Sequence, residues 1–160
     1  MEVSMQLSSF ALVEKGDRYL LVRDSSDEWN GHWFFPGGKL NENENPDESV
    51  LRETEAVTGF EITLTGIFFF PYYGRLVNHD LVHVYYVGKP KTSKVKKHNE
   101  NELLEYGWFT YDEILRLPMR ENALEIINAY RKKKFSLPLY DLKNGEKPMV
   151  ENYRSTKAVA

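Results

Sequence analysis

Residues 37–60 read GGKLNENENPDESVLRETEAVTGF, and this stretch decides the fold of the chain. It predicts a glycine loop that leads into a helix, because Asn45 is a favourable N-cap, Pro46 suits the first helical position and Glu48 completes a capping box. Gly59 supplies the left-handed residue that commonly ends a helix. Helical spacing then predicts one core-facing stripe, formed by Val50, Leu51, Thr54 and Val57.

The same stretch has a specific internal spacing. Five residues separate Gly38 from Glu44, seven more lead to Arg52-Glu53, and Gly59-Phe60 closes it. This spacing resembles the signature of the Nudix hydrolases, Gx5Ex7REUxEExGU, in which U is a bulky apolar residue. Residues 33–40, WFFPGGKL, resemble the strand and loop that precede the signature in MutT-type members. The resemblance implies an α/β/α sandwich with a mixed β-sheet, within the α/β (α+β) class.

Three positions depart from the signature. Ala56 and Val57 stand where the family has paired glutamates, and Thr54 stands where a bulky apolar residue is usual. In the family those glutamates bind Mg²⁺, a hard cation that prefers oxygen ligands, and neither alanine nor valine has a side-chain oxygen. We therefore expect a degenerate Nudix box with an impaired metal site.

The resemblance assigns the remaining metal and catalytic chemistry to a few residues. Glu53 stands at the position of a metal ligand or general base and is the expected catalytic carboxylate, while the Gly37 carbonyl is an expected metal ligand. Glu55 lies about 200° around the helix from Glu53, so it is expected to be a solvated charge. A further ligand is expected from an acidic stretch before a Trp-Phe strand, where Glu102 fits best and Glu100 is the alternative. The expected cofactor is Mg²⁺ or Mn²⁺.

Substrate phosphate is expected at the glycine loop, because free backbone N–H groups near a helix N-terminus favour anions. Gly38 belongs to this loop and Lys39 follows it directly. Arg23 is near a position at which the family places a phosphate-binding basic residue. For Lys39 and Arg23 alike, the alternative is an ordinary surface charge without a role in binding. In the family, residues corresponding to Glu44 and Arg52 form a pair that braces the loop against the helix. The structural residues of the box are therefore Gly38, Glu44, Arg52 and Gly59.

The composition is that of an ordinary globular chain. Its 160 residues are 41% hydrophobic and 28% charged, which fits one domain with a proper core. A net charge of -3 argues against a general nucleic-acid binder, and the lack of cysteine excludes disulfides and thiolate sites. Without a signal-peptide pattern or a segment that approaches the length of a membrane span, the chain is expected to be cytoplasmic, without membrane contact.

Alternation and turn residues predict the remaining elements. An N-terminal β-hairpin is expected from residues 6–14 and 18–23, with Phe10, Leu12, Leu20 and Val22 in the core. Later strands are expected at 61–70, 81–87 and 108–109, with a hairpin connection over 72–80 and a basic loop over 89–99. Thr110 caps a short helix, and residues 121–134 form a longer one with Leu124, Ile127 and Tyr130 on its core face.

Residues 1–134 are expected to form the Nudix domain, and 135–160 a polar C-terminal extension that could cover the domain, reach a partner subunit in a homodimer, or be loose. The expected function is a MutT-related pyrophosphohydrolase acting on a nucleoside diphosphate linked to another moiety, slow or atypical because of Ala56 and Val57. The alternative is a catalytically silent Nudix domain that binds a nucleotide or a protein partner. No helix-turn-helix pattern supports a nucleic-acid-binding regulator.

Overall fold

The computed structural model describes residues 5–68, 73–76, 79–92 and 104–133. Its strands are β1 (Met5–Lys15), β2 (Arg18–Arg23), β3 (Trp33–Phe34), β4 (Gly37–Lys39), β5 (Ile62–Phe68), β6 (Tyr73–Leu76), β7 (His79–Pro90) and β8 (Tyr106–Thr110). Its helices are α1 (Pro46–Thr58), α2 (Tyr111–Ile114) and α3 (Ala123–Lys133).

Strand β1 is the centre of a mixed sheet. It pairs parallel with β7, from Met5 opposite Asp80 to Val13 opposite Gly88, and antiparallel with β2 and β4. Strands β5 and β6 extend the sheet beyond β7, while β3 and β8 both pair with β2, all of them antiparallel. The predicted N-terminal hairpin and the predicted mixed sheet are both confirmed.

Alternate residues of β1 divide the core into two layers. Phe10 and Leu12 pack with Ile126 and Ile127 of α3 and with Ile114 of α2. Ala11 and Val13 pack with Val50 of α1 in a separate cluster. Because successive side chains of a strand point to opposite faces, α1 covers one face of the sheet and α2 and α3 cover the other. The predicted α/β/α sandwich is confirmed.

Helix α1 begins and ends where its capping residues predict. Asn45 has an extended backbone, and its N–H donates to the Glu48 carboxylate at 3.1 Å, which forms one half of the capping box. At the other end Gly59 is left-handed, with φ +75°, and its N–H donates to the carbonyl of Glu55 at 2.8 Å.

The buried stripes of two helices differ from the prediction. Leu51 is 37% exposed, and α1 instead buries Ser49, Val50, Thr54 and Thr58. Leu124 of α3 is also exposed, whereas Ile126 is fully buried. The reason is helical geometry: in α3 the buried positions 123, 126, 127 and 130 follow the i, i+3, i+4, i+7 spacing, and Leu124 falls one position outside it.

Two segments predicted as connections contain strand. Tyr73–Leu76 forms β6 inside the predicted 72–80 connection, and it pairs with β7, which already begins at His79. Strand β7 also runs through Lys89 to Pro90, into the predicted basic loop, where it pairs with β5. Lys89 and Pro90 pair with Thr63 and Ile62, far earlier in the chain, so local turn residues did not reveal this extension; β6 instead forms a tight hairpin with β7, in which Leu76 lies opposite His79.

Residues 93–103, which include most of the predicted basic loop, and 134–160, which include the predicted extension, lie outside the described residues. No helix in the described part of the chain is long and apolar enough to cross a membrane.

Candidate active site at the glycine segment and helix α1

The two glycines form a short strand instead of an open loop. Gly37 lies opposite Phe10 and Gly38 opposite Ser9 in the antiparallel pairing of β4 with β1. Gly37 has φ +148°, and a Cβ placed there would lie 2.1 Å from the carbonyl oxygen of Ser9. Only glycine therefore allows the chain to approach β1 this closely.

The carboxylate of Glu53 lies beside Gly38. A Cβ placed on Gly38 would be 3.3 Å from the carboxyl carbon of Glu53, which is tighter than ordinary van der Waals contact, so the Glu53 carboxylate is packed against Gly38. The Glu53 side chain keeps 25% of its surface exposed. Helix α1 and strand β4 thus bring the predicted catalytic carboxylate and the predicted phosphate-binding glycine together at an accessible position.

Arg52 joins this carboxylate to the segment between β4 and α1. Its Nε and Nη2 donate to the two carboxylate oxygens of Glu44 at 2.6 and 2.9 Å, a bidentate geometry that fixes both side chains. Its Nη1 donates to Glu53 Oε1 at 2.5 Å, and its Nη2 also reaches the Lys39 carbonyl at 3.4 Å. The structure therefore contains the predicted acid–base pair and adds a second carboxylate to it.

The environment of Glu44 gives a testable dependence of stability on pH. The Arg52 guanidinium, assisted by the Asn41 N–H at 2.7 Å, lowers the pKa of Glu44 from 4.5 to about 2. A lowered folded-state pKa stabilises the fold above the unfolded value, and this contribution is lost as the pH falls toward the folded value. Between pH 5 and 2 we expect the protein to lose more unfolding free energy than a Glu44→Gln variant, measured by urea denaturation. Equal losses over that window would contradict this assignment.

Arg23, the other predicted phosphate contact, is held by the start of β8. Its Nη1 donates to Glu105 at 2.9 Å and its Nε to the Gly31 carbonyl at 3.3 Å. About half of each side chain in the Arg23–Glu105 pair is exposed, so solvent screens the attraction between the two charges. Sequence reasoning gave Glu105 no role, since only the pairing of β2 with β8 brings it to Arg23.

Positions 56 and 57 supply no side-chain oxygen. Ala56 and Val57 are partly exposed, and the Val57 carbonyl accepts a hydrogen bond from the Leu104 N–H at 2.9 Å. This hydrogen bond fixes Leu104 to the end of α1. Glu100 and Glu102 themselves lie outside the described residues.

The donor set suits a divalent cation only in part. Within the described residues no group of three or more Asp, Glu, His or Cys side chains could hold a metal. Glu53 offers a carboxylate of the type that hard cations prefer, but Arg52 already binds one of its oxygens. Because Mg²⁺ often uses one or two carboxylates together with substrate phosphates, these residues fit a cation shared with the substrate, not one enclosed by protein.

His83 of β7 is a packing residue. Its ring meets that of Phe10 edge to face at 5.0 Å, and its Nδ1 lies 3.2 Å from the Tyr85 hydroxyl. Burial, with a smaller effect of the Arg120 charge, lowers the pKa of His83 to about 4, so the ring is neutral at pH 7.

Comparisons with known proteins agree with this architecture. The family model of the NUDIX domain matches residues 6–130. An 8-oxo-dGTP diphosphatase from Proteus vulgaris is 38% identical over 45 residues, which are 28% of this chain and 40% of that protein. A MutT-like protein from Streptomyces ambofaciens is 26% identical over 121 residues, 74% of this chain and 71% of that one. A NUDIX hydrolase from Nitrosomonas europaea superposes with a TM-score of 0.70 at 19% identity and covers 89% of this chain and all of its own. The chain belongs to the Nudix family, with MutT-like relatives.

Proposed function

We propose that this chain is a Nudix pyrophosphohydrolase that cleaves a nucleoside diphosphate linked to another moiety, and that it does so slowly. The observation that carries the proposal is the position of the Glu53 carboxylate, in the middle of α1, beside Gly38 of β4. Hydrolysis of a phosphate anhydride needs one group that positions the phosphate and another that accepts the proton of the attacking water. The glycine segment suits the first role and the Glu53 carboxylate suits the second.

Different residues of the site bind the substrate phosphates and hold the cation. Gly38 leaves room for the substrate phosphates beside Glu53 because it has no side chain, Lys39 binds them through its charged side chain, and Arg23 adds a second cation when phosphate displaces Glu105. A divalent cation, which Nudix hydrolases generally use, would be held by Glu53, the Gly37 carbonyl and Glu102, and would neutralise phosphate charge.

Slow turnover follows from the composition of α1. Residue 57 stands one helical turn after Glu53 on the same face, where a second carboxylate would share the cation. Valine cannot do so, and Arg52 competes for the carboxylate that remains. Loss of ligands weakens cation binding, and even the loss of one supporting contact to a metal site costs on the order of 10–100-fold in affinity or activity.

A specific observation favours a second function, a nucleotide-binding or protein-binding domain without turnover. The Arg52 guanidinium contacts both Glu44 and Glu53, so Glu53 has a counter-charge without any metal. Such a site would keep the Nudix fold and the phosphate-binding glycine segment while it bound its ligand unchanged.

Hydrolysis by a Glu53→Gln variant separates the two functions. Nucleoside triphosphates, nucleotide sugars, ADP-ribose and dinucleoside polyphosphates would be incubated with Mg²⁺ or Mn²⁺ and the products quantified. We expect turnover of at least one substrate by the natural chain and a loss of about 100-fold or more in the variant, because the amide cannot accept a proton. A Glu55→Gln variant is the matched control and should retain the natural rate. No turnover with any substrate would contradict the proposed hydrolase and favour the binding domain, and a rate indifferent to Glu53 would contradict the assignment of Glu53 as the catalytic carboxylate.

A further inference from the structure

The side of α1 that faces the sheet is rich in hydroxyl groups. Of its four buried residues, only Val50 is apolar; the others are Ser49, Thr54 and Thr58. Two of these hydroxyls have partners: Thr58 Oγ1 donates to the Thr54 carbonyl at 2.5 Å and accepts from the Phe60 N–H at 3.2 Å, and Ser49 Oγ donates to the Lys39 carbonyl at 3.4 Å.

The hydroxyls of Ser9 and Thr54 are different. Both residues are fully buried, and neither hydroxyl has a hydrogen-bond partner among the residues that the structure describes. Buried polar side chains in folded proteins almost always bond to protein or to ordered water, so this pair requires an explanation. Position 54 also carries a bulky apolar residue in the Nudix signature, so this chain has placed a smaller, polar side chain where the family packs a larger one.

The two residues lie on facing elements, Ser9 on the α1 side of β1 and Thr54 on the buried side of α1. Ser9 lies directly opposite Gly38, and directly opposed residues of paired strands point to one face of the sheet. At Gly38 that direction leads to Glu53 of α1, because a Cβ there would be 3.3 Å from its carboxyl carbon. Thr54 is the next residue of α1.

The core packing independently places Ser9 and Thr54 between β1 and α1. Ala11 of β1, two residues after Ser9 and therefore on the same face, belongs to one buried cluster with Val50 of α1. Thr54 follows Val50 by one helical turn on the same side of α1. Ser9 and Thr54 thus stand in the same layer between β1 and α1, next to the Ala11–Val50 contact.

We propose that one buried water molecule is bound between α1 and β1 and bridges Ser9 Oγ to Thr54 Oγ1. Each hydroxyl can donate or accept a hydrogen bond, and a water molecule can be the partner in either case. Buried waters in proteins occupy polar spaces of this kind, where they bond to otherwise unsatisfied groups. The water fixes α1 against β1 at the residue that follows Glu53. The proposal does not depend on whether the chain hydrolyses nucleotides.

Oxygen-17 relaxation dispersion of the solvent tests the proposal, because it counts long-lived internal waters and does not detect hydroxyl protons. We expect the Ser9→Ala/Thr54→Val double variant to lose one long-lived water relative to the natural chain. Both substitutions remove a hydroxyl with little change of volume. A Ser49→Ala variant is the matched control: its hydroxyl already has a protein partner, so the number of waters should not change.

A crystal structure of the natural chain at high resolution gives a second measurement that needs no variant. Density for a water within hydrogen-bond distance of both hydroxyl oxygens would support the proposal. A direct hydrogen bond between Ser9 and Thr54, or an unchanged number of long-lived waters in the double variant, would overturn it.

Discussion

A Gly37→Ala variant is expected to lose on the order of 4 kcal/mol or more of unfolding free energy, or to fail to fold. The added methyl group would lie 2.1 Å from the Ser9 carbonyl oxygen and 2.7 Å from the Cα of Phe10. Both are backbone atoms of the central strand, so neither can rotate away as a flexible side chain would. To admit the methyl group, β4 must separate from β1, and the segment that carries Gly38 would move with it.

The backbone conformation of Gly37 adds to this cost. Its φ of +148° is one that L-residues rarely adopt, and such positions are strained for any residue with a Cβ. Gly16, in the turn between β1 and β2, separates the two contributions. It also has a positive φ, +62°, but a Cβ there would meet nothing within 4 Å.

A Gly16→Ala variant is therefore the control, with an expected loss of only about 1–2 kcal/mol from the left-handed conformation itself. Urea denaturation of both variants beside the natural chain measures the difference. If the two substitutions had equal cost, the close approach of β4 to β1 would be incorrect.

Features whose cause lies within a few residues of sequence could be predicted. The bounds of α1 follow from Asn45, Pro46 and Gly59, and the N-terminal hairpin follows from alternation around Gly16. The helix α2 begins at the predicted cap, Thr110, whose Oγ1 accepts from the Glu113 N–H at 3.3 Å. In each case the residues that determine the element lie within it or directly beside it in the sequence.

Features that depend on a distant partner could not be predicted. Strand β7 continues through Lys89 and Pro90 because β5 pairs with them, and Arg23 meets Glu105 only because β2 pairs with β8. Leu51 has the right residue type for a core position, yet the hydroxyls of Ser49 and Thr58 occupy the buried side. Sequence showed that Ala56 and Val57 lack oxygen ligands, but not that Arg52 binds the carboxylate that remains.

Restoration of the two missing carboxylates is expected to raise cation-dependent turnover. An Ala56→Glu/Val57→Glu variant places an acid one turn after Glu53, where its Cβ would lie about 5–6 Å from that of Glu53. Both positions are partly exposed, so the new carboxylates can stay hydrated and should cost the fold little. We expect a rise of about 10–100-fold in Mg²⁺-dependent turnover, the range typical of a contact that supports a metal site.

Mn²⁺ binding by the variants shows whether the missing ligands or the Arg52–Glu53 ion pair limits turnover. An Ala56→Gln/Val57→Gln variant has nearly the same shape without the charge, so it controls for altered packing at the end of α1. Binding of Mn²⁺, followed by the loss of its free-ion electron paramagnetic resonance signal, should strengthen in the glutamate variant alone. Stronger Mn²⁺ binding without faster turnover would mean that the Arg52–Glu53 ion pair limits the reaction, because the cation would be present while the catalytic carboxylate stayed engaged. Equal Mn²⁺ binding by the two variants would contradict the assignment of positions 56 and 57 as the missing ligands, and the cause of slow turnover would then lie outside α1.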